Sequence, residues 1–178
     1  MRDVGQGRAF EKRVVLPRLR DSKLQRKGPV MNLKMDIPEL HDFLAKVFPQ
    51  VGDQFKILRI AENEMDVKLI VSEQHLRPGG TVSGPSMFGL ADVAVYLNIL
   101  SMIGPKALAV TTNCSIDFMR KPEAEKDLIA KCRILKLGRA LAVGECLIIL
   151  EGSEKPVARA NLTYSIPPAG SEADKVMG

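Results

Sequence analysis

Hydrophobic and polar positions change period several times along this chain, and each change marks an element. From Ile37 to Phe48, Leu40, Phe43, Leu44 and Val47 recur at helical spacing behind Pro38, and Pro49 closes the run. This predicts a short helix packed on a sheet edge. Phe55 to Glu62 and Met65 to Glu73 switch to the period of a strand. The alternation is imperfect in the first and clean in the second, where Met65, Val67, Leu69 and Val71 share one face. Glu62-Asn63-Glu64 reads as the turn between them, and His75 to Val82 as a Gly/Pro loop.

Val82 to Pro105 follows, and it organises the rest. Ser83-Gly84-Pro85 reads as a helix start, because Ser can cap free N–H groups and Pro fits the first turn. Gly104-Pro105 reads as the stop. The predicted helix, Ser86 to Met102, is apolar nearly all round, so it must be buried on most sides. Between Arg77 and Lys106 its only charged residue is Asp92. A carboxylate in such a place is costly unless partnered, which marks Asp92 as a residue kept for chemistry. Its bland alternative is a structural hydrogen-bond acceptor. A membrane span fits the length, but Asp92 and the polar Ser83, Ser86, Asn98 and Ser101 count against it.

Four strand-like runs follow: Ala107 to Phe118, Asp127 to Leu137, Ala140 to Leu150 and Pro156 to Ile166, with Gly138-Arg139 as a turn and Pro167-Pro168 as the end of order. The order is helix, two strands, long buried helix, four strands. It predicts an α+β fold, an antiparallel sheet with one long helix on one face.

Charge divides the chain. Residues 1–30 carry nine Lys/Arg against three Asp/Glu, and the rest carries 17 against 18, so the net charge of +5 belongs to the N-terminal segment. That segment is expected to be a basic, disordered extension, with Met31 or Met35 as possible natural starts; residues 31–168 form the domain and 169–178 a disordered tail. The extension lacks the apolar stretch of a secretory signal. Without Trp, and with aromatics at 4%, stacking platforms for single-stranded nucleic acid are not expected. Cys114, Cys132 and Cys146 are odd in number and widely spaced, which fits reduced thiols in a cytoplasmic protein. Two histidines, His41 and His75, and no CxxC give a metal centre no support.

The loop-helix run SGPSMFGLADVA, the strand AVTTNCSIDFMRKP, the hairpin LGRALAVGE and the closing VARANLTYSIPP together resemble the PaaI-like acyl-CoA thioesterases of the hotdog fold. In that fold a curved antiparallel sheet wraps a long central helix, and the resemblance spans Ile37 to Pro168. The family motif is His-Gly-Gly followed by an acid eight residues after the middle Gly, and Gly84 and Asp92 keep that spacing. The resemblance implies that the Gly84 N–H polarises the thioester carbonyl and that Asp92 serves as general base or nucleophile. The chemistry agrees: glycine permits close backbone approach, and a helix N-terminus favours a developing oxyanion. Eight residues place Asp92 about 12 Å along the axis from Gly84, too far for one carbonyl. The resemblance implies that the two groups come from different subunits, so that at least a homodimer is needed, with a homotetramer as the larger assembly to expect.

Two positions depart from the motif: Ser83 replaces its His and Pro85 its second Gly. Ser83 is a candidate hydrogen-bond donor to the thioester and equally a helix cap. Arg77 is a candidate for contacting the substrate or holding Asp92 charged. Phe88 and Tyr96, four residues either side of Asp92, are candidate acyl-pocket walls, and Thr111, Thr112 and Asn113 candidate supports from the following strand. Arg120, Lys121, Lys136 and Arg139 are candidate partners for coenzyme A phosphates. No metal or cofactor is called for, coenzyme A being part of the substrate, and neither nucleic acid nor membrane is an expected partner. Two other readings stand beside hydrolysis: a non-catalytic acyl-CoA sensor, and a hydratase, which generally wants a His that only His75 could supply.

Overall fold

The computed structural model describes residues 33–168. The basic extension, residues 31–32 and the whole of the polar tail, 169–178, lie outside the described residues. The chain opens with α1 (Ile37–Val47), started by a reciprocal cap. Asp36 Oδ1 accepts from the Glu39 N–H at 2.9 Å, and Glu39 Oε2 accepts from the Asp36 N–H at 2.9 Å. β1 (Phe55–Ala61) and β2 (Glu64–Leu69) form a hairpin, and Asn63 takes the left-handed conformation at its turn, φ 63°. Two short strands, β3 (Leu76–Arg77) and β4 (Thr81–Val82), precede α2 (Gly84–Ile103). Then come β5 (Val110–Phe118), β6 (Leu128–Leu137), β7 (Leu141–Leu150) and β8 (Pro156–Ser165).

Six strands make one antiparallel sheet in the order β1-β2-β6-β7-β8-β5. α2 packs on one face of it, against β2, β5, β6, β7 and β8. Alternation sets the faces: Leu128, Ala130, Cys132 and Ile134 of β6 are buried, whereas Lys131 and Arg133 are exposed. Leu90, Leu97, Ile99 and Leu100 of α2 are fully covered, each burial stabilising by about 1.5–3 kcal/mol. Gly144 of β7 lets the helix come close, since a Cβ there would lie 3.0 Å from Val95 Cγ1. This is the α+β hotdog arrangement. The apolar length that also suits a membrane span is spent on the core: α2 is the one helix among the described residues long and apolar enough to cross a membrane, and most of it is buried.

The structure corrects several boundaries. The second strand ends at Leu69, not Glu73, because the Ile70 N–H turns to Gln54 O (2.9 Å) and the Val71 N–H to Asp127 Oδ1 (2.9 Å). The loop from His75 to Val82 contains the β3–β4 ribbon, turned at Gly79 and Gly80 with φ 97° and 69°. α2 starts two residues before Ser86, because Gly84 and Pro85 already belong to its first turn. β5 starts at Val110, since Ala109 N–H bonds back to Lys106 O in a turn.

Candidate active site

The entrance of α2 is built by Ser83 and held by the preceding loop. Ser83 Oγ accepts from the Ser86 N–H at 3.2 Å, as an N-cap should. Ser86 Oγ donates to the His75 carbonyl at 3.0 Å, so the 2.8 Å contact between the two serine hydroxyls is donated by Ser83. The Ser83 proton is thereby engaged inside the cap. His75 beneath it is buried: Nδ1 accepts from the Ser72 N–H (2.9 Å), and Nε2 faces Gln54 Oε1 (3.0 Å). Burial pushes its pKa down, so it is held as a neutral anchor. The Gly84 N–H, first in the helix, has no hydrogen-bond partner among the described residues. Ser83→Ala should lower unfolding stability by about 1 kcal/mol, read by denaturant titration, while turnover changes less than threefold. A turnover loss of a hundredfold or more would restore Ser83 as a reacting group.

Two turns further on, Asp92 is half-buried on α2. Its Oδ1 accepts from Thr111 Oγ1 of β5 at 2.5 Å and from Tyr164 Oη of β8 at 2.7 Å. The same phenol lies 2.8 Å from the Asp92 carbonyl oxygen. Asp92 Oδ2 has no partner among the described residues, nor is it sealed from solvent. Asp92, Val93, Tyr96, Ala109, Thr111 and Tyr164 line a cavity of about 520 Å³, with Phe48 from the α1 end on its wall. Its walls are mostly apolar around one carboxylate, the usual composition of a small-molecule site. Tyr96 stacks on Tyr164, ring centroids 6.2 Å apart, and its hydroxyl donates to Ala107 O at 3.2 Å. Burial pushes the Tyr96 phenol up to about 12, so it stays a neutral wall.

Gly84 opens into a different, smaller cavity of about 350 Å³, together with Arg77, Arg120 and Lys121. The Phe118 ring lines it too, 3.3 Å from where a Gly84 Cβ would stand. Within one protomer, therefore, Gly84 and Asp92 line separate cavities.

The other sequence candidates fall on both sides of this division. Arg77 donates to Thr81 Oγ1 at 2.8 Å and lines the smaller cavity; within one protomer it makes no contact with Asp92. Arg120 donates to the Pro156 carbonyl. Thr112 donates to Thr163 O at 3.2 Å, and both Thr112 and Asn113 are exposed on β5. Phe88 is exposed on α2 and lines neither cavity. Lys136 and Arg139 are exposed at the β6–β7 hairpin end, also outside both. Tyr164 was missed. Its signal lay in the last strand, where Ala158, Ala160, Leu162 and Tyr164 are buried on alternate positions: a tyrosine on an inward row must find a partner for its hydroxyl.

Cys132 and Cys146 face each other across β6 and β7 as free thiols, and Cys114 is half-buried. Burial pushes Cys132 up to about 12 and Cys146 well above its ordinary value, so neither is a nucleophile. Among the described residues no group of His, Cys, Asp and Glu could hold a metal ion.

A sequence profile of the Thioesterase superfamily matches residues 79–157, the stretch carrying the α2 entrance and Asp92. The chain is 57% identical to a Silicibacter protein of known structure provisionally classed as a thioesterase, over 78% of this chain and 96% of that one, with a TM-score of 0.73. The phenylacetic acid degradation protein PaaI of Thermus thermophilus, in an Asn-to-Asp variant, matches at 29% identity over 67% of this chain and 99% of its own, TM-score 0.59. A Streptococcus mutans protein solved with acetyl-CoA shares the fold at 22% identity, over 64% and 89% of the two chains, TM-score 0.58. No curated protein sequence matches the chain. The chain belongs to the thioesterase superfamily, in its PaaI-like hotdog branch.

Proposed function

We propose that this protein hydrolyses acyl-CoA thioesters at sites shared between two protomers. The observation that carries the reading is Asp92, whose carboxylate is held on one oxygen beside an apolar cavity. In the reaction Asp92 takes a proton from water as the water oxygen adds to the thioester carbonyl carbon. The charge forming on the carbonyl oxygen meets the Gly84 N–H of the facing copy, at the positive end of its helix. The C–S bond then breaks, and the departing thiolate takes the proton from Asp92. The products are a carboxylic acid and coenzyme A. Direct attack by the carboxylate is the second route open to the same geometry. The acyl group occupies the larger cavity, and the basic rim of the smaller one, Arg77, Arg120 and Lys121, receives coenzyme A phosphates. No cofactor enters the scheme, and the free thiols suit a reducing, cytoplasmic setting.

The second copy is expected at β5. This edge strand carries nine residues, none buried, and Val110 and Phe118 are each 52% exposed. A long edge with apolar ends, regular from Asn113 to Phe118 beyond the irregularity at Thr111 to Asn113, invites pairing, and pairing it with its own copy brings two α2 helices alongside each other.

Thiol release from a panel of acyl-CoAs by the full chain tests the reading, and saturable turnover of at least one acyl class is expected. The sensor reading is favoured by one feature: Ser83, in place of the motif His, spends its proton on the cap. Tight binding of an acyl-CoA with no turnover would decide for it.

A further inference from the structure

We propose that Tyr164 is a positioning residue that fixes which oxygen of Asp92 acts on the substrate. The inference rests on the hydrolase reading and deepens it. Tyr164 is 2% exposed, and its ring is clamped by the stacked Tyr96. Thr111 and Tyr164 stand directly opposite each other in the β5–β8 register. The sheet thus presents two hydroxyls side by side to α2, and both reach the same atom, Asp92 Oδ1, at 2.5 Å and 2.7 Å. A carboxylate turns easily about its last torsion, where preferences are broad. With Oδ1 pinned from two strands, that torsion is set. Oδ2 is left without a protein donor, and it is the oxygen that can meet water or a carbonyl carbon.

Tyr164 does more than its threonine neighbour. Its phenol also approaches the Asp92 backbone carbonyl at 2.8 Å, so it registers helix and side chain together. It cannot leave this role by ionising. Burial first, and the neighbouring carboxylate second, push the phenol far above its ordinary range, and it remains a donor wherever the protein is folded. A tyrosine serving only the core would need the carbonyl contact alone. The second contact, to the carboxylate, is the one that bears on chemistry.

Tyr164→Phe keeps the ring and its stack and removes only the hydroxyl. In the full chain kcat should fall about tenfold with KM within twofold of wild type, and adding Thr111→Val should bring the loss to about a hundredfold, the scale at which small misplacements act. A crystal structure of Tyr164→Phe should show the Asp92 carboxylate rotated or in two orientations. A kcat equal to wild type, or a carboxylate unmoved in the variant, overturns the proposal. Should Tyr164→Phe misfold, Thr111→Val serves alone: with Tyr164 still present the carboxylate keeps its orientation, and rotation there overturns the proposal as well. If the wild type releases no thiol from any acyl-CoA, the hydrolase reading fails on its own, and the orientation of Asp92 in the variants still decides the role of Tyr164.

Discussion

Asp92→Asn is expected to leave the protein folded and to lower kcat by about a thousandfold, within the range general bases contribute. The amide has the shape of the carboxylate and keeps an oxygen for the hydroxyls of Thr111 and Tyr164. What it loses is the ability to take a proton from water or to attack a carbonyl carbon. Acyl-CoA affinity should change little, because the cavity walls are Val93, Tyr96, Ala109 and their neighbours. Thermal stability should hold or rise, since a half-buried charge is costly to keep among apolar residues. Thiol release measures the first effect, a binding titration the second and a melting curve the third. A folded variant with wild-type turnover would remove Asp92 from the chemistry and the hydrolase scheme with it.

The same residue shows how much of the molecule can be read without coordinates. An acid alone in an apolar helix is visible because burying it has no reason of its own, and the structure does place it at a cavity. Strand periodicity located all of the six-stranded sheet, because one face of each inner strand must be apolar. The ends failed where single side chains intervene. Asp127 captures the Val71 N–H and ends β2 early, and nothing local to residues 70–73 announces a residue 56 positions away. Tyr164 was hidden for a related reason. A tyrosine in an apolar row looks like core until its hydroxyl is placed, and its partner is 72 residues distant. The basic candidates were the least legible. Arg120 and Lys121 reach the smaller cavity, whereas Lys136 and Arg139 stay at the hairpin end, and exposed charges carry no periodicity that would separate the two pairs.

Asn113→Lys together with Ser115→Lys is expected to turn the protein into a folded monomer with activity more than a hundredfold down. Both residues are exposed on β5, opposite Thr163 and Asn161 of β8, so single chains accommodate lysine there without touching the core. The test takes a β5–β5 register that sets position 113 of one copy opposite position 115 of the other; such directly opposed Cβ atoms stand about 5 Å apart, where like charges repel. Activity is expected to fall with association because Gly84 and Asp92 line different cavities of one protomer. On the proposed scheme each site needs the amide of one copy and the acid of the other. Sedimentation velocity should show the monomer, and raising salt should restore part of both the dimer and the turnover, since screening shortens the repulsion to a few ångströms. Leu147→Lys, also an exposed strand position but on the interior strand β7, should leave association and rate unchanged. A monomeric double-lysine variant with full turnover would mean that one chain holds a complete site, and the smaller cavity at Gly84 would then have no part in polarising the thioester.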